Sequence, residues 1–261
     1  MMFAAPLDLG RARILVSNDD GINARGIGRL EKVARTLSDD VWVVAPEIEQ
    51  SGAGHSLTLR DPLRIRRVSE RHFAVSGTPT DSVLLAIRQI LSDHPPDLVL
   101  SGINRGGNLG EDVTYSGTIA AAMEGTLLGV PSIALSQVTR ADSATKWDTA
   151  EHFAADVVRG LVAVPWERNV FMNVNFPDLE TDAVAGTAVC FQGRRKLGDQ
   201  LEERHDPHGR PYYWIGPQRG EDPTRPDTDL AAITGGRISV TPLCLDLSHD
   251  GMIGRLRDQF G

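Results

Sequence analysis

Cysteine, long apolar runs and net positive charge are all scarce in this 261-residue chain. Its two cysteines, Cys190 and Cys244, lie far apart and form no CxxC pair, which argues against a disulfide framework or a thiolate zinc site. No segment reaches the ~18 apolar residues of a membrane span, and the start lacks the roughly 7–15-residue apolar region of a signal peptide. We therefore expect a cytoplasmic protein without membrane attachment and with a short, frayed N-terminus.

Acidic residues outnumber basic ones, with 35 Asp and Glu against 27 Lys and Arg and a net charge of -8. Such a chain is a poor candidate for binding the backbone of a nucleic-acid polymer. The charge is compatible with a small phosphorylated substrate, because a bound cation reverses the field inside one pocket. The length and the 41% apolar composition suffice for one substantial core.

The first two thirds of the chain alternate between strand and helix patterns. Short apolar runs predict strands at 14–17, 41–45, 97–101, 132–135 and 170–176, and a local antiparallel pair at 63–68 and 72–75. Helical spacing predicts helices at 25–37, 79–91, 116–128 and 147–164. The alternation predicts an α/β fold with a mainly parallel sheet covered on both faces, in which ligands bind at the carboxyl ends of the strands.

The last third is rich in glycine, proline and charge from about residue 186. A turn signal at 206–209 (DPHG) between 201–204 and 212–215 predicts a long β-hairpin that projects from the main body. Isolated hairpins are marginal in water, so we expect this one to pack on another subunit; the alternative is a disordered surface insertion. The chain thus divides into a core at 1–185 and an extension at 186–261. In the extension, a helix at 230–233, a strand at 238–241 and a terminal helix near 252–260 follow the hairpin and return to the core.

The loop after the first strand carries two adjacent carboxylates, Asp19 and Asp20. They repel each other and are costly to desolvate, and a divalent cation would remove both penalties. Hard carboxylate oxygens suit magnesium, manganese or calcium rather than zinc. Taken alone, Asp-Asp-Gly is a weak signal. The alternative is that Asp20 or Asn18 caps the next helix while Asp19 is solvated.

Two further loops follow predicted strands. In the loop at 46–56, Ser51 is a candidate neutral oxygen ligand, and His55 is either a polar contact or a structural histidine. The loop at 101–112 (SGINRGGNLGED) is followed by Tyr115-Ser116-Gly117-Thr118, which opens a helix whose free N–H groups form an anion site. The alternative is a plain glycine-rich loop with Ser116 as an ordinary N-cap. A cation site and an anion site at one sheet edge indicate phosphoryl chemistry.

Several long motifs in order resemble the SurE family, the stationary-phase survival proteins that are 5'/3'-nucleotidases. The motifs are ILVSNDDG at 14–21, SG at 51–52, SGTPTD at 76–81, the run at 101–125 and SVTPL at 239–243. The resemblance implies a Rossmann-like three-layer α/β domain with a C-terminal extension that exchanges contacts within a homodimer or homotetramer. It also implies a cytoplasmic phosphatase that hydrolyses nucleoside 5'- and 3'-monophosphates, with short polyphosphate as a further substrate of some members.

The resemblance also implies the site residues. One divalent cation per subunit, Mg²⁺ or Mn²⁺, is held by the residues that match the family's ligands, namely Asp19, Asp20, Ser51 and Asn104. The phosphate pocket matches Ser116, Gly117 and Thr118, with Asn108 close by. We expect the cation to activate water, Asn104 and the helix start to offset charge on the phosphoryl oxygens, and Asp19 either to ligate only or also to orient water.

Two alternatives to this chemistry differ in kind. One is covalent catalysis through an aspartyl-phosphate, which typically uses a DxD motif. Gly21 stands at the position of the second acid of that motif, which argues against this alternative. A non-catalytic nucleotide sensor on the same scaffold would not need a metal site with open positions, so the full set of Asp, Asp, Ser and Asn argues against it.

Overall fold

The computed structural model describes residues 2–3, 5–140, 143–195, 201–215 and 225–261. Within these ranges the strands are β1 Arg13–Ser17, β2 Asp40–Pro46, β3 Ile65–Arg67, β4 His72–Val75, β5 Leu98–Arg105, β6 Ser132–Gln137, β7 Val170–Phe176, β8 Thr187–Val189, β9 Leu201–His205, β10 Pro211–Ile215 and β11 Ile238–Cys244. The α-helices of the same ranges are α1 Arg25–Arg35, α2 Pro79–Leu85, α3 Gly117–Leu127, α4 Trp147–Val162, α5 Asp229–Thr234 and α6 Asp250–Phe260.

Nine strands form one sheet in the order β3-β4-β2-β1-β5-β6-β7-β11-β8. The six strands from β4 to β7 run parallel to one another. Near the two edges, β3 is antiparallel to β4 and β11 is antiparallel to β7. The mainly parallel sheet is as predicted, and the predicted antiparallel pair is present as β3 and β4.

Helices cover both faces of this sheet. In β1, Ile14 and Val16 are wholly buried in an apolar cluster with side chains of α1 and α4, whereas Leu15 is buried in a second cluster with side chains of α2 and α3. Successive residues of a strand point to opposite faces, so a central strand with helices on both sides is apolar at every position. The three-layer arrangement is therefore confirmed.

Helix α2 begins where its sequence predicts. Thr78 Oγ1 accepts from the Asp81 backbone N–H at 3.1 Å, and Asp81 Oδ2 accepts from the Thr78 N–H at 2.9 Å. This reciprocal pair satisfies two donors that a helix start leaves open, and Pro79 at the first helical position needs no donor. The predicted helix at 79–91 consists of α2 and a turn of π-helix at Ala86–Ile90.

Part of the N-terminal segment packs against the core, so the prediction of a frayed N-terminus is wrong for Phe3 and Leu7. Phe3 is only 7% exposed, and its ring makes an edge contact with Trp166 at 6.1 Å between centroids. Its backbone N–H donates to the Trp166 carbonyl at 2.9 Å, and that of Leu7 donates to the Val162 carbonyl at 3.1 Å. The segment at 2–7 shows neither a helical period nor the alternation of a strand, so its sequence did not indicate this packing.

The predicted β-hairpin is present as the antiparallel pair β9 and β10, with side chains that are exposed throughout. The segments at 196–200 and 216–224, which join the hairpin to the rest of the chain, lie outside the described residues. After the hairpin, α5 leads into β11, which returns to the main sheet beside β7. Among the described helices, none is long and apolar enough to cross a membrane.

Candidate active site

The turn after β1 is shaped by Asn18. Its side-chain Nδ2 donates to the Gly21 carbonyl at 3.0 Å, and its Oδ1 accepts from the Gly21 N–H at 3.2 Å. These bonds close the turn that carries the two carboxylates. Because Ser17 pairs with Ser101 of the parallel neighbour β5, the loops that follow β1 and β5 leave the sheet side by side.

Asp19 lies against the first turn of α3 and is only 4% exposed. Its carboxylate accepts a short hydrogen bond from Thr118 Oγ1 and further bonds from the backbone N–H groups of Gly117 and Thr118. Burial raises the pKa of Asp19, and these hydrogen bonds act in the opposite direction. The positive end of the helix dipole therefore fixes this carboxylate in one orientation.

Gly117 is needed for this approach. A Cβ atom at Gly117 would lie 2.6 Å from the Cβ of Asp19 and 3.0 Å from its Oδ2, closer than side chains tolerate. Of the residues predicted to bind phosphate, Gly117 and the wholly buried Thr118 thus contact Asp19. Ser116, whose Oγ caps α3 by accepting from the Ile119 N–H at 3.1 Å, lines the open cleft described below.

Asp20 is also held in a setting that disfavours its charged form. Burial is the main cause that raises its pKa to about 6, and the adjacent charge of Asp19 adds to the effect, as does the charge of Glu49. The backbone N–H of Arg105 donates to this carboxylate and partly offsets the rise. Asp20 is thereby placed next to the Arg105 backbone as well as next to Asp19. Two neighbouring acids with raised pKa values are a setting that a divalent cation stabilises.

A cleft of about 220 Å³ at the carboxyl end of the parallel strands brings most of the predicted residues together. The cleft is lined by Asp19, Ser51, Gly52, Asn104, Arg105, Gly107, Asn108, Asp112, Tyr115 and Ser116. Asp20 does not line the cleft, but it is adjacent to Asp19 and accepts a hydrogen bond from the backbone of Arg105, and both of these residues line the cleft. Ligands of open parallel sheets bind at this edge, so the location is the one the strand order predicts.

The donor set fits a hard divalent cation. Asn104 Nδ2 donates to the Gly106 carbonyl at 2.9 Å, so the amide offers a cation its carbonyl oxygen Oδ1. Ser51 Oγ donates to Glu49 Oε1 at 2.9 Å and keeps its lone pairs for a ligand. Among the described residues, no group of three or more His, Cys, Asp and Glu side chains is placed to hold a metal ion. A cation held by the two carboxylates would therefore need neutral oxygens to complete its coordination, as Mg²⁺ commonly does.

Asn108 is held by a buried polar network from β7. Its backbone N–H donates to Asn175 Oδ1 at 2.8 Å, and its carbonyl accepts from Asn173 Nδ2 at 2.8 Å. Its side-chain Nδ2 donates to Ser136 Oγ at 2.8 Å. Asn173 and Asn175 are wholly buried and were not singled out from the sequence. Two asparagines in an otherwise apolar strand were the available signal, because buried amides need specific partners.

Three other residues of the cleft carry charge or a hydroxyl and were also missed. Arg105 brings a guanidinium to the cleft directly after Asn104, at the end of β5. Asp112 and Tyr115 come from the segment that leads into α3. Asp112 forms an ion pair with Arg195, in which both side chains are largely buried. The position of Arg105 at the carboxyl end of a central strand was the signal that could have identified it.

Comparison with known proteins shows which family this chain resembles. The family model described as Survival protein SurE matches residues 14–199. A protein named 5'-nucleotidase SurE from Paramagnetospirillum magneticum is 62% identical over 249 residues, which cover 95% of this chain and 96% of that protein. Another of the same name from Rhodospirillum rubrum is 60% identical over 262 residues, covering 99% of this chain and 100% of that protein.

Among solved structures, the crystal structure of the SurE protein from Aquifex aeolicus matches this fold with a TM-score of 0.82 and 38% sequence identity. The match covers 95% of this chain and 99% of that one. It agrees with the Rossmann-like α/β architecture that the sequence resemblance implied. On the extent of these similarities, the chain belongs to the SurE family.

Proposed function

We propose that this protein is a 5'-nucleotidase, a phosphoric monoester hydrolase that converts nucleoside 5'- and 3'-monophosphates to nucleoside and phosphate with one bound Mg²⁺ or Mn²⁺. The enzyme class rests on relatives of up to 62% identity that carry the name 5'-nucleotidase. The observation that carries the chemistry is a pair of acids with raised pKa values: the buried Asp19, which lines a small polar cleft together with Ser51 and Asn104, and the half-buried Asp20 adjacent to it.

Asp19, Asp20, Ser51 and Asn104 would hold the cation. A divalent ion bound there supplies positive charge to a phosphoryl oxygen and lowers the pKa of water. Asp19 is preset by its bonds to α3, so it would ligate or accept a proton from water in one fixed orientation. The Nδ2 of Asn104 is already engaged with Gly106, which favours ligation through Oδ1 over the charge-offsetting role also predicted for this amide.

The substrate phosphate would lie in the rest of the cleft. Arg105 offers a guanidinium and Ser116 a hydroxyl to its oxygens, while Asn108 forms part of the wall. Gly117 and Thr118 would act on the phosphate only through Asp19, because their donors bind that carboxylate. We assign them to positioning Asp19 rather than to direct contact with substrate.

Phosphate release from AMP and GMP tests this function. Purified protein with Mn²⁺ should release phosphate from both, EDTA should stop the reaction, and Asp19→Asn should abolish turnover with the fold retained by circular dichroism. If Mn²⁺ supports no release and EDTA changes nothing, the nucleotidase assignment fails. Tight binding of AMP without release would instead identify the non-catalytic sensor.

The remaining parts of the proposal are a homodimer or homotetramer through the hairpin, a cytoplasmic location and action on short polyphosphate. The hairpin exposes Tyr212 and Trp214 on one face, at 44% and 62% exposure. Exposed neighbouring aromatics favour a contact with a second subunit. Replacing both with Ser should lower the molar mass measured by light scattering; an unchanged mass would exclude this face.

A further inference from the structure

The loop that carries Ser51 is irregular along its whole length. Within the described part of the chain, residues 47–64 connect β2 to β3 and form neither helix nor strand. Such long structureless loops are uncommon in compact domains and are usually functional. The side chain of Ser51 is exposed, and its hydrogen bond goes to Glu49 of the same loop. The position of Ser51 relative to Asp19 therefore depends on what holds the loop.

Two backbone hydrogen bonds fix the first half of this loop. The Gln50 N–H donates to the Asp19 carbonyl at 2.8 Å, and the Gly54 N–H donates to the Tyr115 carbonyl at 3.2 Å. The first bond joins the loop to the turn after β1, and the second joins it to the segment before α3. Directly after Gly54, the side chain of His55 adds a contact with α3 itself.

Glu124 is the partner of His55 and the single charged residue of α3. It is only 7% exposed, and its Oε2 lies 3.0 Å from His55 Nε2. A buried carboxylate is costly unless it is paired, and alanine or leucine at this position would form the helix equally well. The pair therefore indicates a role beyond the formation of α3.

Helix α3 thus contacts two loops that supply proposed cation ligands. Its first turn binds Asp19 through the Gly117 N–H, and Glu124, two turns later, binds His55. Positions 117 and 124 differ by seven, a spacing that places both residues on one face of the helix, about 10 Å apart along its axis. One rigid element therefore sets the positions of Asp19 and of the loop that carries Ser51.

We propose that Glu124 and His55 are positioning residues for the cation: their contact holds the loop against α3, so that Ser51 reaches the same ion as Asp19. This rests on the proposed function, since it concerns the cation that Ser51 is proposed there to ligate. Residues that orient metal ligands contribute to affinity although they do not touch the ion, and their loss typically weakens binding by about 10–100-fold. Here the effect passes through the loop backbone, so we expect the lower end of that range.

The test measures the affinity of the metal-free protein for Mn²⁺ by calorimetric titration. His55→Ala removes the contact from the loop side, and Kd for Mn²⁺ should rise about tenfold. His55→Gln retains a side-chain N–H donor and should recover part of the affinity. Glu124→Ala breaks the same contact from the helix side, so the double variant with His55→Ala should bind Mn²⁺ no more weakly than either single variant. Glu124→Leu, which keeps most of the volume without an acceptor, takes its place if the alanine variant does not fold.

His72 provides the matched control. Its Nε2 lies 3.0 Å from Glu31 Oε2, the same distance as in the pair of His55 and Glu124, and both histidine side chains are 28% exposed. His72 begins the parallel strand β4, so it lies at the edge of the sheet opposite the cleft, and His72→Ala should leave Kd for Mn²⁺ unchanged. A second comparison tests the route. In Ser51→Ala protein, His55→Ala should cause no further loss of affinity, because the ligand that the loop presents is already absent.

Phosphate release separates this inference from the proposed function. Because the pair acts through the cation, AMP hydrolysis by His55→Ala should fall at limiting Mn²⁺ and return close to the wild-type rate at saturating Mn²⁺. An unchanged Kd for Mn²⁺ in His55→Ala would refute the positioning role, and a rate that stays low at saturating Mn²⁺ would assign His55 to the substrate instead. In both cases the nucleotidase function stands. A wild-type protein that binds no Mn²⁺, or releases no phosphate with it, would refute the proposed function and this inference with it.

Discussion

Asp20 carries a charge that the folded protein disfavours. Its burial and the adjacent Asp19 raise its pKa to about 6. Asp20→Asn removes the like-charge repulsion, so the cation-free variant should be more stable than wild type. Discounted for partial exposure, we expect about 1 kcal/mol, or roughly 2–4 °C in Tm. We also expect Mn²⁺ to raise the Tm of the wild type but not that of the variant. Differential scanning fluorimetry with and without Mn²⁺ measures both effects.

The matched control is Asp39→Asn, the same change at an exposed aspartate in the turn before β2. Its Tm should stay close to that of wild type, and its response to Mn²⁺ should be intact, because exposed substitutions change stability by no more than about 0.5 kcal/mol. A cation-free Asp20→Asn protein less stable than wild type would show that the carboxylate is needed for folding. A retained response to Mn²⁺ would remove Asp20 from the ligand set.

The raised pKa of Asp20 also predicts how pH affects cation binding. Protonation is favoured in the folded state, so this group's contribution to stability is fully present below about pH 3.8 and is lost as the pH rises to about 6. A cation binds the ionised form and must displace the proton below pH 6. The affinity for Mn²⁺ should therefore be nearly constant from pH 7 to 8 and fall by up to about tenfold per unit below pH 6. Calorimetric titration at several pH values measures this, and an affinity that is unchanged at pH 5 would contradict it.

At the scale of elements, the close contact between the β1 loop and α3 depends on Gly117, which has no side chain. Gly117→Ala would place a Cβ 2.6 Å from that of Asp19, so Asp19 must move away from the helix start. We expect a loss of stability of about 1–3 kcal/mol, as for overpacked cores, together with a large fall in kcat. Chemical denaturation and the phosphate assay measure the two effects.

Gly28 in α1 provides the matched control, because an added Cβ there meets no atom within 4 Å. Gly28→Ala should stabilise the protein by roughly 0.5–1 kcal/mol through helix propensity and leave activity unchanged. If Gly117→Ala retained full activity, Asp19 would not need its contact with the helix start.

Most elements could be predicted because their signals are local. The apolar period of α1, the capping box at Thr78 and the β-branched runs each lie within one segment. Packing between distant segments has no such signal. Two examples are the ring contact of Phe3 with Trp166 and the hydrogen bonds of Asn173 and Asn175 to Asn108. Such contacts depend on strand order and register, which periodicity does not determine.

In the candidate site, too, some features follow from local sequence signals and others from packing between distant segments. Asp19, Ser51 and Asn104 were predicted to meet because the sequence placed each in a loop after a strand of one sheet. The cleft brings them together, although Asn104 lies near the end of β5 and not in the loop after it. The sequence did not show that Asp19 takes the N–H groups of Gly117 and Thr118, because a helix start suits a carboxylate and a phosphate equally well. Deciding between them required the distance between the β1 loop and α3.

At the scale of the whole molecule, the segment at 193–195, which precedes the hairpin in the chain, is bound to the wall of the cleft by hydrogen bonds and an ion pair. The Arg195 guanidinium pairs with Asp112, and its backbone N–H donates to Glu111. The buried carboxylate of Asp229 joins the same two segments at a second place. Its Oδ1 accepts from the Gly193 N–H at 2.8 Å, and its Oδ2 accepts from the Gly110 N–H at 2.9 Å. The loop that lines the cleft and the segment that leads to the hairpin are therefore bound as one unit.

This arrangement predicts that Arg195 affects activity although it is not part of the cleft lining. In Arg195→Ala, Asp112 loses the guanidinium paired with it in the wall of the cleft, so KM for AMP should rise if the phosphate binds there as proposed. The loss of stability should be below the ~3–5 kcal/mol typical of a broken buried ion pair, because the Leu109 N–H still donates to Asp112 at 3.3 Å. Adding Asp112→Asn removes the charge and should restore most of the affinity for AMP. If the double variant were as impaired as Arg195→Ala, the charge of Asp112 would not be the cause, and the pair would serve only to hold the hairpin segment in place.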